Sequence, residues 1–129
     1  MKFNKLIPEL SVSNIEKSIK FYTSIGFNVV YERKENKFCF LELEGNQIMI
    51  EEINDNWNVD AKIEYPFGRG INISMSIENI DQLYEKVVTL GIKIFKELEI
   101  HEYKVKDEIY KDKEFLIQDP DGYLLRFNN

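Results

Sequence analysis

The feature that most limits how this chain can fold is a spacing used twice. Asn14-Ile15 is answered by Gly26 and Asn79-Ile80 by Gly91, the second set about 65 residues after the first. Asn79-Ile80-Asp81-Gln82 offers a helix N-cap, with the asparagine side-chain oxygen as acceptor. Glycine accepts the left-handed backbone just past a helix C-terminus. Each spacing therefore brackets a short helix. The first start also fits a capping box, with Ser13 as the cap and Glu16 reaching back. Ile15, Ile19 and Tyr22, with Phe21 beside them, make the apolar stripe of the first helix. Ile80, Leu83, Tyr84 and Val87 make that of the second.

Each helix keeps the same company. A strand-like run precedes it, Leu6–Val12 in the first half and Ile71–Ile77 in the second. In the second run Ile71, Ile73, Met75 and Ile77 alternate with Asn72, Ser74 and Ser76, so one face is apolar and the other polar. Pro8 interrupts the first run with a residue that cannot donate a ladder hydrogen bond. After each helix come three further strands. In the first half these are Phe27–Glu32, then a hairpin of Phe38–Leu43 and Gln47–Ile53 turning at Glu44-Gly45-Asn46, with Arg33–Lys37 as a charged turn. In the second half they are Ile92–Leu98 and a terminal hairpin of Phe115–Phe127 turning at Asp119-Pro120-Asp121-Gly122. Proline presets φ there, Asp bonds its own backbone, and Gly takes positive φ. Glu99–Glu114 has no counterpart in the first half and is expected to be an extended arm or a long loop.

The order is β-α-β-β-β, stated twice. The fold class is α+β, one domain over 1–129, with module one at 1–53, a polar linker at 54–69 and module two at 70–129. Neither module is large enough to bury its sheet well alone. The polar faces of the first strands, with Glu9, Ser11, Asn72 and Ser74, point away from the helices, toward either a binding cleft or solvent.

Several classes fall away on composition. The net charge is −6, and no basic cluster is visible, so no nucleic-acid partner is expected. No apolar run approaches the roughly 20 residues that span a bilayer, and no secretion leader opens the chain, so a cytoplasmic protein without a membrane partner is expected. The single cysteine, Cys39, excludes an internal disulfide and reads as a small core residue.

The stretch Asn14-Ile-Glu-Lys-Ser-Ile-Lys-Phe-Tyr-Thr-Ser-Ile-Gly-Phe27 resembles the first helix of the vicinal oxygen chelate superfamily, which holds glyoxalase I, extradiol dioxygenases, fosfomycin-resistance enzymes and bleomycin-resistance proteins. Asp119-Pro-Asp-Gly-Tyr-Leu-Leu-Arg-Phe127 resembles its closing hairpin. The resemblance implies paired βαβββ modules, with a U-shaped mixed sheet around a cleft and helices on its outer face, and a homodimer. It also implies where a metal would be held. The four ligand positions of metal-dependent members fall on Ile7, Glu51, Asn72 and Arg126. Ile7 has no donor atom, and Arg126 is a fixed cation that repels a metal ion. A catalytic metal generally takes three protein ligands, so no metal and no cofactor are expected. What remains resembles most the metal-free bleomycin-resistance branch, whose members sequester a drug.

The expected function is therefore a metal-free small-molecule-binding protein, leaning away from an enzyme. The expected ligand is cationic or aromatic. The ligand-binding residues expected are Glu51, Asn72 and Arg126, with Phe38, Phe40, Trp57 and Tyr103 as aromatic walls. Glu51 and Arg126 pair with each other or each takes part of the ligand. His101, the lone histidine, is expected to be solvated in a loop. Two alternatives stand beside this: an enzyme of the same superfamily with an atypical site, a lyase, transferase or dioxygenase-like activity with Glu9 or Glu51 as general base, and a regulator whose partner is another protein. A homodimer is expected because Tyr103, Ile109 and Tyr110 of the arm have no evident core to join, and because sheet edges are left to cover.

Overall fold

The computed structural model describes residues 2–57 and 62–129. The chain forms two compact units, Met1–Phe67 and Gly68–Asn129. Their boundary lies inside the stretch expected as a linker, of which 58–61 fall outside the described residues.

The first unit runs β1 (Glu9–Val12), α1 (Ile15–Ser24), β2 (Asn28–Arg33), a 3-10 turn (Lys34–Asn36), β3 (Phe38–Leu43) and β4 (Asn46–Glu52). Its sheet has the order β1-β4-β3-β2, with β1 parallel to β4 and the other pairs antiparallel. The second unit runs β5 (Asn72–Ser76), α2 (Ile80–Thr89), β6 (Ile94–Val105), β7 (Glu108–Gln118) and β8 (Leu124–Asn128). Its sheet has the matching order β5-β8-β7-β6, with β5 parallel to β8. Each half thus builds a four-stranded mixed sheet from its own residues, and the α+β class with tandem βαβββ units holds.

Local chemistry explains most boundaries. Asn14 and Asn79 cap the two helices, accepting from the backbone N–H of Lys17 and Gln82. This corrects the first cap. The helix opens at Ile15, so Asn14 takes the role assigned to Ser13, and Glu16 stands one place too early to close a capping box. Gly26 (φ +119°) and Gly91 (φ +71°) follow the helices as expected. The β3–β4 hairpin turns on two residues, Glu44 and Gly45, both with positive φ, the geometry that matches the twist of paired strands. In the terminal turn, Asp119 Oδ1 accepts from the N–H of Asp121 and of Tyr123, and the Gly122 N–H donates to the Asp119 carbonyl.

Two expected elements are corrected in extent. The first strand is regular only from Glu9, because Pro8 offers a carbonyl to Met49 N–H but no donor in return. The stretch 99–114 is strand throughout apart from its turn, so β6 reaches Val105 instead of stopping at Leu98 and pairs with β7 from Glu99↔Glu114 to Val105↔Glu108.

The core of each unit lies between sheet and helix. In the first, Leu10, Val12, Cys39, Leu41, Ile48 and Ile50 are buried with Tyr22 and Ile25. Ile15 and Ile19, expected on the buried stripe, are only half-buried; Ser18 takes an inner place. In the second, Met75, Phe115, Ile117, Leu125 and Phe127 are buried with Ile80, Leu83 and Val87, and Tyr84 meets Phe115 edge-on at 5.1 Å. Each such side chain contributes about 1.5–3 kcal/mol by leaving water. No helix among the described residues is long and apolar enough to cross a membrane.

Candidate functional site

Strand register places the chemistry. Residues directly opposite one another in a sheet share a face. In the first unit, Ser11 is opposite Glu51, which is opposite Phe38, which is opposite Arg33. One row along, Glu9 is opposite Met49, then Phe40, then Tyr31. These eight side chains stand on the face away from α1.

The face is a charged cluster on an aromatic floor. Tyr31 and Phe40 stack with centroids 5.4 Å apart. The Arg33 guanidinium lies over Phe38 at 5.0 Å and Tyr31 at 5.5 Å, where ring quadrupoles attract a cation. Glu51 Oε2 accepts from Trp57 Nε1 at 2.9 Å and from Asn54 Nδ2 at 2.6 Å. That clamp fixes the Glu51 carboxylate and brings the half-exposed Trp57 ring to the edge of the face. Burial pushes the Glu9 carboxyl above its usual value, the Glu51 charge pushes it further, and Arg33 pulls it back. The far end of the face is closed by the N-terminal segment. Phe3 packs edge-on against Phe40 at 5.4 Å, and Gln47 bonds the backbone of Lys2 and Asn4.

Of the expected site residues, Glu51, Phe38, Phe40 and Trp57 come together on this face. Glu9, expected on the polar face of the first strand and as an alternative general base, joins them. Arg33 and Tyr31 were missed. Their i, i+2 spacing was the available signal, but the bulge between Val29 and Tyr31 hides which way they point.

The second unit carries the rest. Asn72, Ser74 and Ser76 are exposed on the face away from α2, opposite Leu124, Arg126 and Asn128 of β8. Arg126 Nε and Nη2 donate to the two Glu114 oxygens at 2.8 and 3.0 Å, a bidentate fork. Within their own units, Glu51 is partnered by Trp57 and Asn54, and Arg126 by Glu114. The fork holds the Glu114 carboxyl below its usual value against the opposing pull of burial; the charges of Arg126, His101 and Lys96 help. Tyr103 lies in the arm, stacked on Tyr110 at 5.8 Å. His101 is not in a loop; it stands on β6 opposite Asp112, with Nε2 3.0 Å from Glu99 Oε2.

The donor set does not suit a metal. Of the four positions that the resemblance assigns to a metal, Ile7 and Arg126 offer no ligand atom, and Glu51 Oε2 accepts from Trp57 and Asn54. Among the described residues no group of three or more His, Cys, Asp or Glu side chains is placed to hold an ion.

Solved proteins are similar to this chain, two of them in fold. A glyoxalase/bleomycin resistance protein/dioxygenase from Alicyclobacillus acidocaldarius is 18% identical, with 97% of this chain and 89% of that one covered and a TM-score of 0.69. TioX from Micromonospora sp. ML1 is 13% identical, with 98% of each chain covered and a TM-score of 0.74. A member of the same superfamily from Vibrio splendidus 12B01 is 34% identical over 93% of each chain, with a TM-score of 0.44. No curated protein matches. Residues 5–127, nearly the whole chain and both βαβββ units, match the family described as the Glyoxalase/Bleomycin resistance protein/Dioxygenase superfamily. On that match the chain belongs to the glyoxalase/bleomycin resistance protein/dioxygenase superfamily.

Proposed function

We propose that this protein binds a small organic molecule without a metal, as the resemblance to bleomycin-resistance proteins implies, and that the ligand sits against the face of the first sheet turned away from α1. One observation carries the reading: two carboxylates, Glu9 and Glu51, share an aromatic-floored face with a single guanidinium. An aromatic ring or a cationic amine is what such a face accepts, through the part-exposed Tyr31 and Trp57 rings above the buried Phe38 and Phe40 and through the carboxylates.

Thermal-shift screening against cationic glycopeptides, aromatic antibiotics and simple aromatic amines tests this. A ligand at a hundred times its Kd raises stability by about 2.7 kcal/mol, which a melting curve resolves. The shift should vanish in the double variant Glu9→Gln/Glu51→Gln. Failure of all three classes to move the midpoint, or a shift that survives the double change, refutes the site. Metal analysis after dialysis checks the other half: stoichiometric Ni, Zn, Mn or Fe that supports turnover refutes the metal-free reading.

A second reading rests on the raised pKa of Glu9. A carboxylate made more basic by burial is suited to accept a proton, so Glu9 is the residue of choice if the face turns a ligand over. Turnover lost in Glu9→Gln while ligand binding persists would establish it.

A further inference from the structure

β6 and β7 extend past the rest of their sheet. Pairing with β8 ends at Glu114, while β6 and β7 continue together to Val105 and Glu108. The projecting part is a two-stranded ribbon with nearly every residue exposed. Such a ribbon is marginal in water by itself. Yet Ile100 and Ile109 are 67% and 70% exposed on one side, and the stacked Tyr103 and Tyr110 lie open on the other. The outer edge of β6 has no strand beside it among the described residues.

We propose that this edge pairs with the same edge of a second copy, joining the two arms into a four-stranded antiparallel sheet centred on Tyr103. Two-fold symmetry allows only registers in which one residue faces its own counterpart. Centring on Glu102 or Lys104 sets like charges face to face, which opposes pairing. Centring on Tyr103 sets Glu102 of each copy opposite Lys104 of the other. It also extends the Tyr110–Tyr103 stack into a row of four rings. The alternative edge, that of β7, is self-repelling: centring on Tyr110 puts Glu108 against Asp112. Strand edges are commonly protected from association by charged side chains, proline or bulges. This one carries both signs, in an order that complements itself. The ladder from Glu99 to Val105 is regular after the two irregularities near Lys96, so the arm offers an unbroken edge.

Light scattering on the intact protein at micromolar concentration should give twice the 15.4 kDa of one chain. Lys104→Glu places Glu against Glu at both contacts and should return the mass of one chain, with unchanged far-UV ellipticity. Exchanging the charges, Glu102→Lys with Lys104→Glu, should restore the doubled mass. Tyr103→Cys places two thiols opposite one another on the symmetry axis, within disulfide reach, and should cross-link two chains on mild oxidation. A single-chain mass for the unaltered protein overturns the proposal. So does a dimer that Lys104→Glu leaves intact, or a Tyr103→Cys protein that stays uncross-linked.

Discussion

The fork of Arg126 onto Glu114 is the clearest charge arrangement in the second unit. Glu114 is nearly buried while the Arg126 side chain is 40% exposed, so the pair lies between the surface and interior cases. Arg126→Met leaves a carboxylate in a poor dielectric with no counter-charge. It should cost about 2 kcal/mol, midway between an exposed pair and a buried one. Adding Glu114→Gln should return much of that loss, since the uncompensated charge is gone. The pH dependence has a definite sign. The folded-state pKa of Glu114 is lowered, so its stabilising contribution is present above the unfolded carboxylate value of about 4.3 and is lost as pH falls through the folded value. Melting midpoints of Glu114→Gln should therefore fall less steeply in acid than those of the unaltered protein. Glu51 and Arg126 were singled out by the resemblance, through the ligand positions of its metal-dependent members. Their partners were not. Glu114 meets Arg126 through the β7–β8 register, and Trp57 reaches Glu51 through a loop, and neither relation has a local signature.

At the scale of elements, caps and turns do most of the specifying. Asn14→Ala and Asn79→Ala should each lower stability by about 1 kcal/mol, read from denaturant midpoints, because each leaves a helix-end N–H without its side-chain acceptor. Gly68 is under a double constraint. Its φ is +69°, and a Cβ there would lie 2.5 Å from Tyr123 Cδ1, so Gly68→Ala should lower the melting temperature more than either cap change. The helices, the hairpin turns and the doubled strand order could be read from the chain because asparagine, glycine and Asp-Pro-Asp-Gly act through nearest neighbours. The arm could not be read as strand so directly. Its turn is Lys106-Asp107, with Lys106 itself at φ +57°, and neither residue is a turn signal of the Asn-Gly kind. The start of β1 was misjudged for a related reason: alternation continues through Pro8, but pairing does not.

At the scale of the whole molecule, the two units share one topology and differ in what they carry. The first holds the carboxylate pair, the aromatic floor and the tryptophan; the second holds the charge fork and the arm. The doubling of the fold was plain in the sequence, because the spacing of caps and glycines repeats. The division of labour between the halves was not, since it depends on register and on side chains contributed by neighbouring strands.

Cys39 has a use that follows from its position. It is fully buried on the helix side of the first sheet, and burial, with a smaller push from Glu32, raises its thiol to about 11. Only a thiolate reacts with an alkylating reagent, so this sulfur is doubly silent while the unit is closed. Its labelling is then a clock for the opening of one half of the chain. Iodoacetamide modification followed by mass spectrometry should be negligible over minutes in native buffer. It should accelerate with urea in step with the fluorescence of Trp57, the other natural probe of the same unit. Labelling that is fast without denaturant, or that runs ahead of the tryptophan signal, would mean that the sheet around Cys39 breathes on its own.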